Sequence, residues 1–273
     1  MLNDLDYLQM YFGDPITINQ WITLYQPKID DVIKLGEKRY YQVINTLTAI
    51  PSDMKPQLWD MGICWEDIDD FTLFAMSAPT LKVEDTHMLF GDLDFSKFRL
   101  GENTRNHLPV LFQLVYDSQD NLIYDSEGKP ECIVIDEYIY QLLMKLLRTM
   151  HNITPKREKA GSKWVRDYLI QKQRDEIEEQ SKKEYSSFLL PLISSMLNSP
   201  EFKFSLNEIK QMPYFTFMDS VKRVQLIRNS TALLYGCYGG FIDTSKIDKK
   251  ELDWMIDFSK QEKKKRKNGV MGL

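Results

Sequence analysis

Cysteine is scarce: Cys64, Cys132 and Cys237 are the only three, they lie far apart, and none belongs to a CxxC pair. A sparse, odd, scattered set excludes the disulfide framework of a small secreted scaffold and the close thiolates of a structural zinc site. Reduced, partly buried thiols are the expectation. Histidine is as thin, with His87, His107 and His151 each lacking a second His or Cys at metal-ligand spacing, so neither a metal nor another cofactor is expected. No apolar run approaches the roughly 20 residues of a membrane-spanning helix. The opening Met1-Leu2-Asn3-Asp4-Leu5-Asp6 is acidic where a secretory signal would be basic and then apolar, so the chain is expected to stay where it is made and to need no membrane. Phosphate-binding glycine loops are missing as well. Gly236-x-x-Gly239-Gly240 matches neither GxGxxG nor GxxxxGK[ST] and follows a helix instead of a strand, which suits helix termination better. No GxSxG elbow occurs either.

What is present is a chain of 273 residues, 43% hydrophobic and 12% aromatic, enough apolar surface to offset chain entropy over one large or two modest domains. A net charge of −5 gives no overall attraction to nucleic acid. The basic run from Lys260 to Lys267 lacks the interleaved aromatics of a single-strand binder.

Hydrophobic periodicity predicts an α+β, mainly helical fold. Residues 1–150 read as an α+β domain. It opens with a short helix closed at Gly13-Asp14-Pro15, followed by an extended stretch over Ile16–Tyr25. A helix is expected from Ile29 to Ile50, interrupted at Gly36, with Ile33, Tyr40, Ile44 and Leu47 on its inner face. Pro51 stops it, and Ser52 or Asp53 is expected to cap the next. Phe95–Leu100, Leu108–Tyr116, Leu122–Tyr124 and Cys132–Ile135 suggest a small antiparallel meander turned at Asp117–Asn121. Asp136 should cap a helix carrying Tyr138, Leu142, Leu146 and Thr149.

Between 155 and 185, 16 of 31 residues are charged, which marks residues 151–185 as a solvated helical connector. Residues 186–259 read as a helical domain. Leu189, Leu192, Ile193, Met196 and Leu197 form one stripe, and Phe217, Val221, Val224, Ile227 and Leu234 another within Tyr214–Tyr235. Ser205-x-x-Glu208 forms a capping box, and a last helix is expected from Asp248. Residues 260–273 form a basic tail. No internal repeat is expected at a fixed period.

Candidate chemistry is confined to carboxylates. Glu66, Asp67, Asp69 and Asp70 cluster, and Asp92 and Asp94 form the Asp-x-Asp pair that a Mg²⁺-dependent enzyme could use. No base, nucleophile or third ligand accompanies that pair in sequence, and Gly91-Asp92-Leu93-Asp94-Phe95 fits a turn equally well. Asp117, Asp120 and Asp125 lack the glycine and glutamate of a calcium loop. Catalysis is therefore not expected. The apolar helix faces of the C-terminal part, with Phe217, Met218, Val221 and Val224 as contact candidates, point to binding of other proteins.

Several strings together carry a resemblance. They are Thr46–Lys55 with Leu58-Trp59-Asp60-Met61-Gly62, Gly91–Phe95, Ile135–Tyr140, Ile153-Thr154-Pro155-Lys156, Met218-Asp219-Ser220-Val221 and Leu252-Asp253-Trp254-Met255. On these the chain resembles tail assembly chaperones encoded in the tail modules of long-tailed phages and prophages of Gram-positive bacteria. That resemblance implies a non-enzymatic protein of the host cytoplasm that coats the tape measure protein, keeps it soluble, and yields as major tail protein polymerises. Self-association is compatible with it. It also implies a longer product made by ribosomal frameshifting, for which the codons of Lys263-Lys264-Lys265 are the expected place. A structural tail or baseplate component and a metal-dependent enzyme using Asp92 and Asp94 are the alternatives.

Overall fold

The computed structural model describes residues 4–103, 107–240, 247 and 252–255. The chain divides into two units, Met1–Ile193 with Leu206–Phe217, and Ser194–Ser205 with Met218–Leu273. It is mainly helical with a small antiparallel sheet, as the periodicity predicts.

In the first unit, α1 (Asp4–Phe12) ends at Gly13, whose φ is +81°. A Cβ there would lie 2.7 Å from the Pro213 ring, so only glycine fits. The stretch expected to be simply extended is a hairpin: β1 (Ile16–Thr17) pairs with β2 (Thr23–Leu24). Asn19 turns it by accepting from the N–H groups of Trp21 and Ile22 at 2.9 and 2.8 Å. Gly36, at φ +92°, then separates α2 (Ile29–Leu35) from α3 (Glu37–Thr48). Tyr40, Ile44 and Leu47 are buried as expected, whereas Ile33 is 50% exposed. Neither Ser52 nor Asp53 caps α4 (Lys55–Asp60). Ser52 Oγ accepts from Glu158 N at 3.0 Å, and Asp53 accepts from Ile50 N at 2.9 Å.

Two more helices, α5 (Asp70–Ser77) and α6 (Val83–Phe90), lead to the sheet. Its strands β3 (Arg99–Glu102), β4 (Pro109–Leu114) and β5 (Cys132–Ile135) are antiparallel in the order β3-β4-β5, a meander as expected, but the first strand starts only at Arg99 and Leu122–Tyr124 contributes isolated bridges instead of a strand. Aromatic rings fill the space beneath. Phe95 meets Phe74 and Phe90 edge-on at 6.4 and 5.0 Å, and Tyr140 meets Phe71 at 5.5 Å. Such edge-to-face pairs add about 0.5–1.5 kcal/mol each beyond the area they bury.

Between β4 and β5 lies a feature that departs from expectation, because it is a repeat. Tyr116-Asp117-Ser118 recurs eight residues later as Tyr124-Asp125-Ser126. In each copy the aspartate Oδ1 accepts from the backbone N–H two and four residues on: Gln119 and Asn121 at 2.8 and 2.9 Å, Glu127 and Lys129 at 2.8 and 2.9 Å. Three residues after each aspartate the backbone turns left-handed, at Asp120 (φ +60°) and Gly128 (φ +76°). At the base Val115, Ile123 and Glu131 close a ring of backbone hydrogen bonds. Ile123 donates to Val115 at 3.0 Å, Glu131 to Ile123 at 2.8 Å, and Val115 to Glu131 at 3.0 Å. Two copies of eight residues lie well below the 20–50-residue periods of stacked repeat architectures.

α7 (Glu137–Met150) begins at the expected cap, where Asp136 accepts from Ile139 N at 2.9 Å. Its buried face differs. Tyr140, Leu143, Met144, Leu146, Leu147 and Met150 are buried, while Tyr138 is 75% exposed. Of the expected stripe only Leu146 is buried.

The segment 151–185 is not a free connector and marks no boundary. It belongs to the first unit, and α8 (Lys163–Lys182) packs along α4. Ile170 joins Leu58, Trp65 and Leu73 in one apolar cluster. Polar ties do the rest. Trp65 Nε1 donates to Glu158 O at 3.1 Å, Glu66 accepts from Ala160 N at 2.9 Å, and Arg174 pairs with Asp60. Lys55, 6% exposed in its side chain, meets Glu158 at 2.8 Å and donates to Ser52 O at 2.6 Å. The helix is solvated along most of its length, as its charge composition predicts, with Ile170 its one buried residue. Its partners lie about a hundred residues away in sequence, where no local pattern reaches them.

The return of Leu206–Phe217 to the first unit is likewise non-local. α10 (Leu206–Gln211) and the start of α11 (Tyr214–Tyr238) are fixed there by Ile29 N donating to Met212 O at 3.1 Å and Tyr214 N to Pro27 O at 2.8 Å. In the second unit, Arg228 donates to Ser199 Oγ at 2.9 Å and to Glu201 at 3.2 Å, while Phe202 and Phe204 meet at 5.1 Å. α9 (Leu189–Leu197) and α11 span the divisions between the units. α11 runs through Gly236 to Tyr238, two glycines short of the positive-φ Gly240, so the glycine cluster ends it later than expected. The helix expected from Asp248 and the basic tail 260–273 lie outside the described residues, apart from 252–255. No helix among the described residues is long and apolar enough to cross a membrane.

Candidate functional site

Several residues of the acidic clusters hold local structure. Asp69 caps α5 by accepting from Thr72 N at 2.8 Å, Asp70 holds Arg157 in a two-pronged pair at 3.0 and 2.6 Å, and Glu66 takes Ala160 N and Arg166. Asp94 accepts from Ser96 N at 3.0 Å at the start of the single 3₁₀ turn Phe95–Lys97, while Asp92 is fully exposed and stands 3.5 Å from His87 Nδ1. Among the described residues no three His, Cys, Asp or Glu side chains are grouped to hold a metal ion. Asp117 and Asp125 serve the repeated loops, and the backbone N–H groups of Asn121 and Gln119 hold the Asp117 carboxyl below its ordinary pKa. The three cysteines are free and half-buried.

The contact candidates in the C-terminal stripe are withdrawn from solvent. Phe217 is fully buried, Val221 and Val224 are 7% and 8% exposed, and Met218 is half-buried. The same period that would form a docking face forms a core face, and here burial took three of the four.

Exposed apolar rows occur elsewhere. On α1, Leu5, Leu8 and Phe12 are 62%, 51% and 70% exposed, at the i, i+3, i+7 spacing that places them on one side of the helix. On α8, Trp164 and Tyr168 stack with rings 5.9 Å apart and 10° from parallel, both facing solvent. The nine residues of α1 are too few for periodicity to single out this face. Trp164 and Tyr168 lie in a segment whose charge dominates its sequence pattern.

A cavity of about 780 Å³ opens between the β1–β2 hairpin and α6, with Ile133 of β5 on its wall. Trp21, Tyr25 and Phe90 supply aromatic surface, and Asp31, His87 and Asp92 the ionisable groups. The wall is fixed by Tyr25 N donating to Leu89 O at 2.8 Å. Gly91 passes close to it with φ +60°, and a Cβ there would come 3.3 Å from the Tyr25 ring. Gln26 also lines the cavity. It is 9% exposed, and neither its Oε1 nor its Nε2 has a hydrogen-bond partner among the described residues. An unmet buried amide costs about 1–3 kcal/mol, and both polar atoms of this one are closed to solvent. The sequence around it, Tyr25-Gln26-Pro27, carries no signal of this.

No protein-family model, no curated protein and no solved structure matches the chain.

Proposed function

We propose that this protein is a phage tail assembly chaperone, a non-enzymatic binder that keeps the tape measure protein soluble in the host cytoplasm and releases it as major tail protein assembles. The observation that carries the reading is the solvent-facing row Leu5, Leu8 and Phe12 on α1. A long amphipathic client helix offers the matching apolar stripe, and pairing the two removes both from water at roughly 25 cal/mol per Å². The stacked Trp164–Tyr168 pair on α8, set among charged side chains, offers a second contact of the same kind. Release at polymerisation requires a modest interface, on the order of 1,200 Å² or less. The resemblance of several sequence strings to the phage family suggests the identity of the client.

The test is co-expression of the full chain with the tape measure protein from the same tail module. The wild-type chain is expected to keep the client in the soluble fraction and to co-purify with it. Leu8→Asp with Phe12→Asp should lose most of the client while shifting stability by no more than about 0.5 kcal/mol, since the replaced side chains are exposed. A client that stays insoluble beside the wild-type chain refutes the reading. Mass spectrometry of purified particles should find the protein absent, and its presence would make it a virion component instead.

A further inference from the structure

We infer that the exposed face of α8 pairs with the same face of a second copy of the chain, the two helices running antiparallel. The pairing concerns the chain alone and goes beyond the client binding proposed above, with which it competes for Trp164 and Tyr168. Those two rings are the apolar part of the face, stacked on each other and 75% and 54% exposed. From residue 174 to residue 182 every side chain of α8 is exposed as well. Tyr168 opens onto a shallow groove of about 260 Å³ that continues along the helix past Asp175 and Glu176 to Glu179. Large aromatic rings in water beside a groove on the same face are the parts from which an interface anchor is made.

Charge decides what fits. Residues 163–174 of α8 contain four basic side chains and one acid, whereas residues 175–182 contain four acids and one base. That order is the reverse of the one a helix macrodipole favours, acid first and base last, so the stability of α8 by itself does not account for it. Arg166 and Arg174 pair with Glu66 and Asp60 of the same unit. Lys163 and Lys172, with Asp167 between them, remain on the first half, against Asp175, Glu176, Glu178 and Glu179 on the second. Laid antiparallel, two copies set the basic half of each against the acidic half of the other, at both ends alike. Laid parallel, they would set acid against acid. An antiparallel pair is two-fold and closes on itself, so it stops at a dimer. It also carries the Trp164 and Tyr168 of each copy toward the groove of the other, where the indole N–H and the phenol O–H have carboxylates to donate to. One pair of helices buries roughly 1,200 Å² or less, the low end for specific contacts, and calls for a dissociation constant of about 1–100 μM.

Sedimentation velocity of the full-length protein, from about 1 to 300 μM, reads the association across that range. The wild type should pass from monomer to dimer and no further. Trp164→Ala with Tyr168→Ala should weaken the dimer at least about tenfold. Two charge variants test the direction of pairing. Lys163→Glu with Lys172→Glu makes both halves of α8 acidic, and Asp175→Lys with Glu179→Lys makes both basic. Each alone should be monomeric, and an equimolar mixture should form the heterodimer, because one supplies the charge that the other lost. The replacements at Lys163 and Glu179 put charge where the macrodipole prefers it, so loss of the dimer would not reflect a weakened helix. The double alanine variant reads the same surface without any change of charge.

A wild type that stays monomeric at about 300 μM overturns the inference and leaves the aromatic pair to the client alone. So does a double alanine variant that dimerises within about threefold of the wild type, or a mixture of the charge variants that remains monomeric. None of these measurements includes the tape measure protein. Their failure leaves co-purification untouched, and failed co-purification leaves the dimer untouched.

Discussion

The hydroxyl of Tyr40 lies 2.6 Å from Nε2 of His151, joining α3 to the end of α7 inside the first unit. His151 Nδ1 lies 2.8 Å from Leu147 O, which can only accept, so Nδ1 carries the proton and Nε2 accepts from Tyr40. Tyr214 closes the group, its ring 5.1 Å from His151 and its hydroxyl 3.2 Å from that of Tyr41. Burial pushes the Tyr40, Tyr41 and Tyr214 hydroxyls up from their ordinary range, so all three stay protonated.

Burial also pulls the pKa of His151 from 6.5 down to about 4. Between those values the unfolded chain binds a proton that the folded chain refuses. The neutral imidazole therefore contributes fully above pH 6.5, and stability is lost as pH falls through that window, by up to about 3 kcal/mol at pH 4. Urea midpoints between pH 7 and 5 should drop for the wild type. His151→Gln should be less stable at pH 7 yet flatter across the same interval. Parallel slopes for the two proteins would show that His151 does not control the acid limb.

Lys55 and Glu158 make a second measurable pair. The Lys55 ammonium is buried, sits 5.9 Å from the centre of the Trp65 ring, and holds the Glu158 carboxyl below its usual pKa. Glu158→Gln leaves that ammonium without its counter-ion and should destabilise by about 3 kcal/mol, of which Lys55→Met in the same chain should restore more than half. Double-mutant-cycle denaturation checks this. Simple additivity of the two changes would mean that the pair is not coupled.

The repeated loops supply an internal control. Gly128 and Asp120 occupy equivalent left-handed positions, and nothing lies within 4 Å of a Cβ built at Gly128. Gly128→Ala should therefore cost about 1 kcal/mol through backbone strain alone, while Asp120→Gly should be neutral or stabilising by a similar amount. Opposite signs in thermal denaturation are the expected result. Equal effects would contradict the equivalence of the two loops.

Much of the fold was legible where neighbours in sequence decide it. Gly13 and Gly36 stop helices, Asp136 caps one, and the residue pattern marks β4 and β5, while β3 begins four residues later than expected. These outcomes depend on φ preferences, one short hydrogen bond and side-chain direction, all local. The inner face of α7 was misplaced because Tyr138 and Tyr140 both fit an apolar period. Only packing against Phe71 and Phe74 selects Tyr140.

By itself the sequence determined that this chain folds into a mainly helical α+β protein, since composition and periodicity fix how much surface can be buried and by which elements. Tertiary structure alone decided which apolar faces are core and which meet solvent: Phe217 went inside, and Leu5, Leu8 and Phe12 stayed out. It also tied α8 to α4 through Lys55 and Glu158, and left the amide of Gln26 unmet beside a cavity. Burial and hydrogen-bond satisfaction are properties of residues brought together across long stretches of chain, and a one-dimensional pattern contains no term for them.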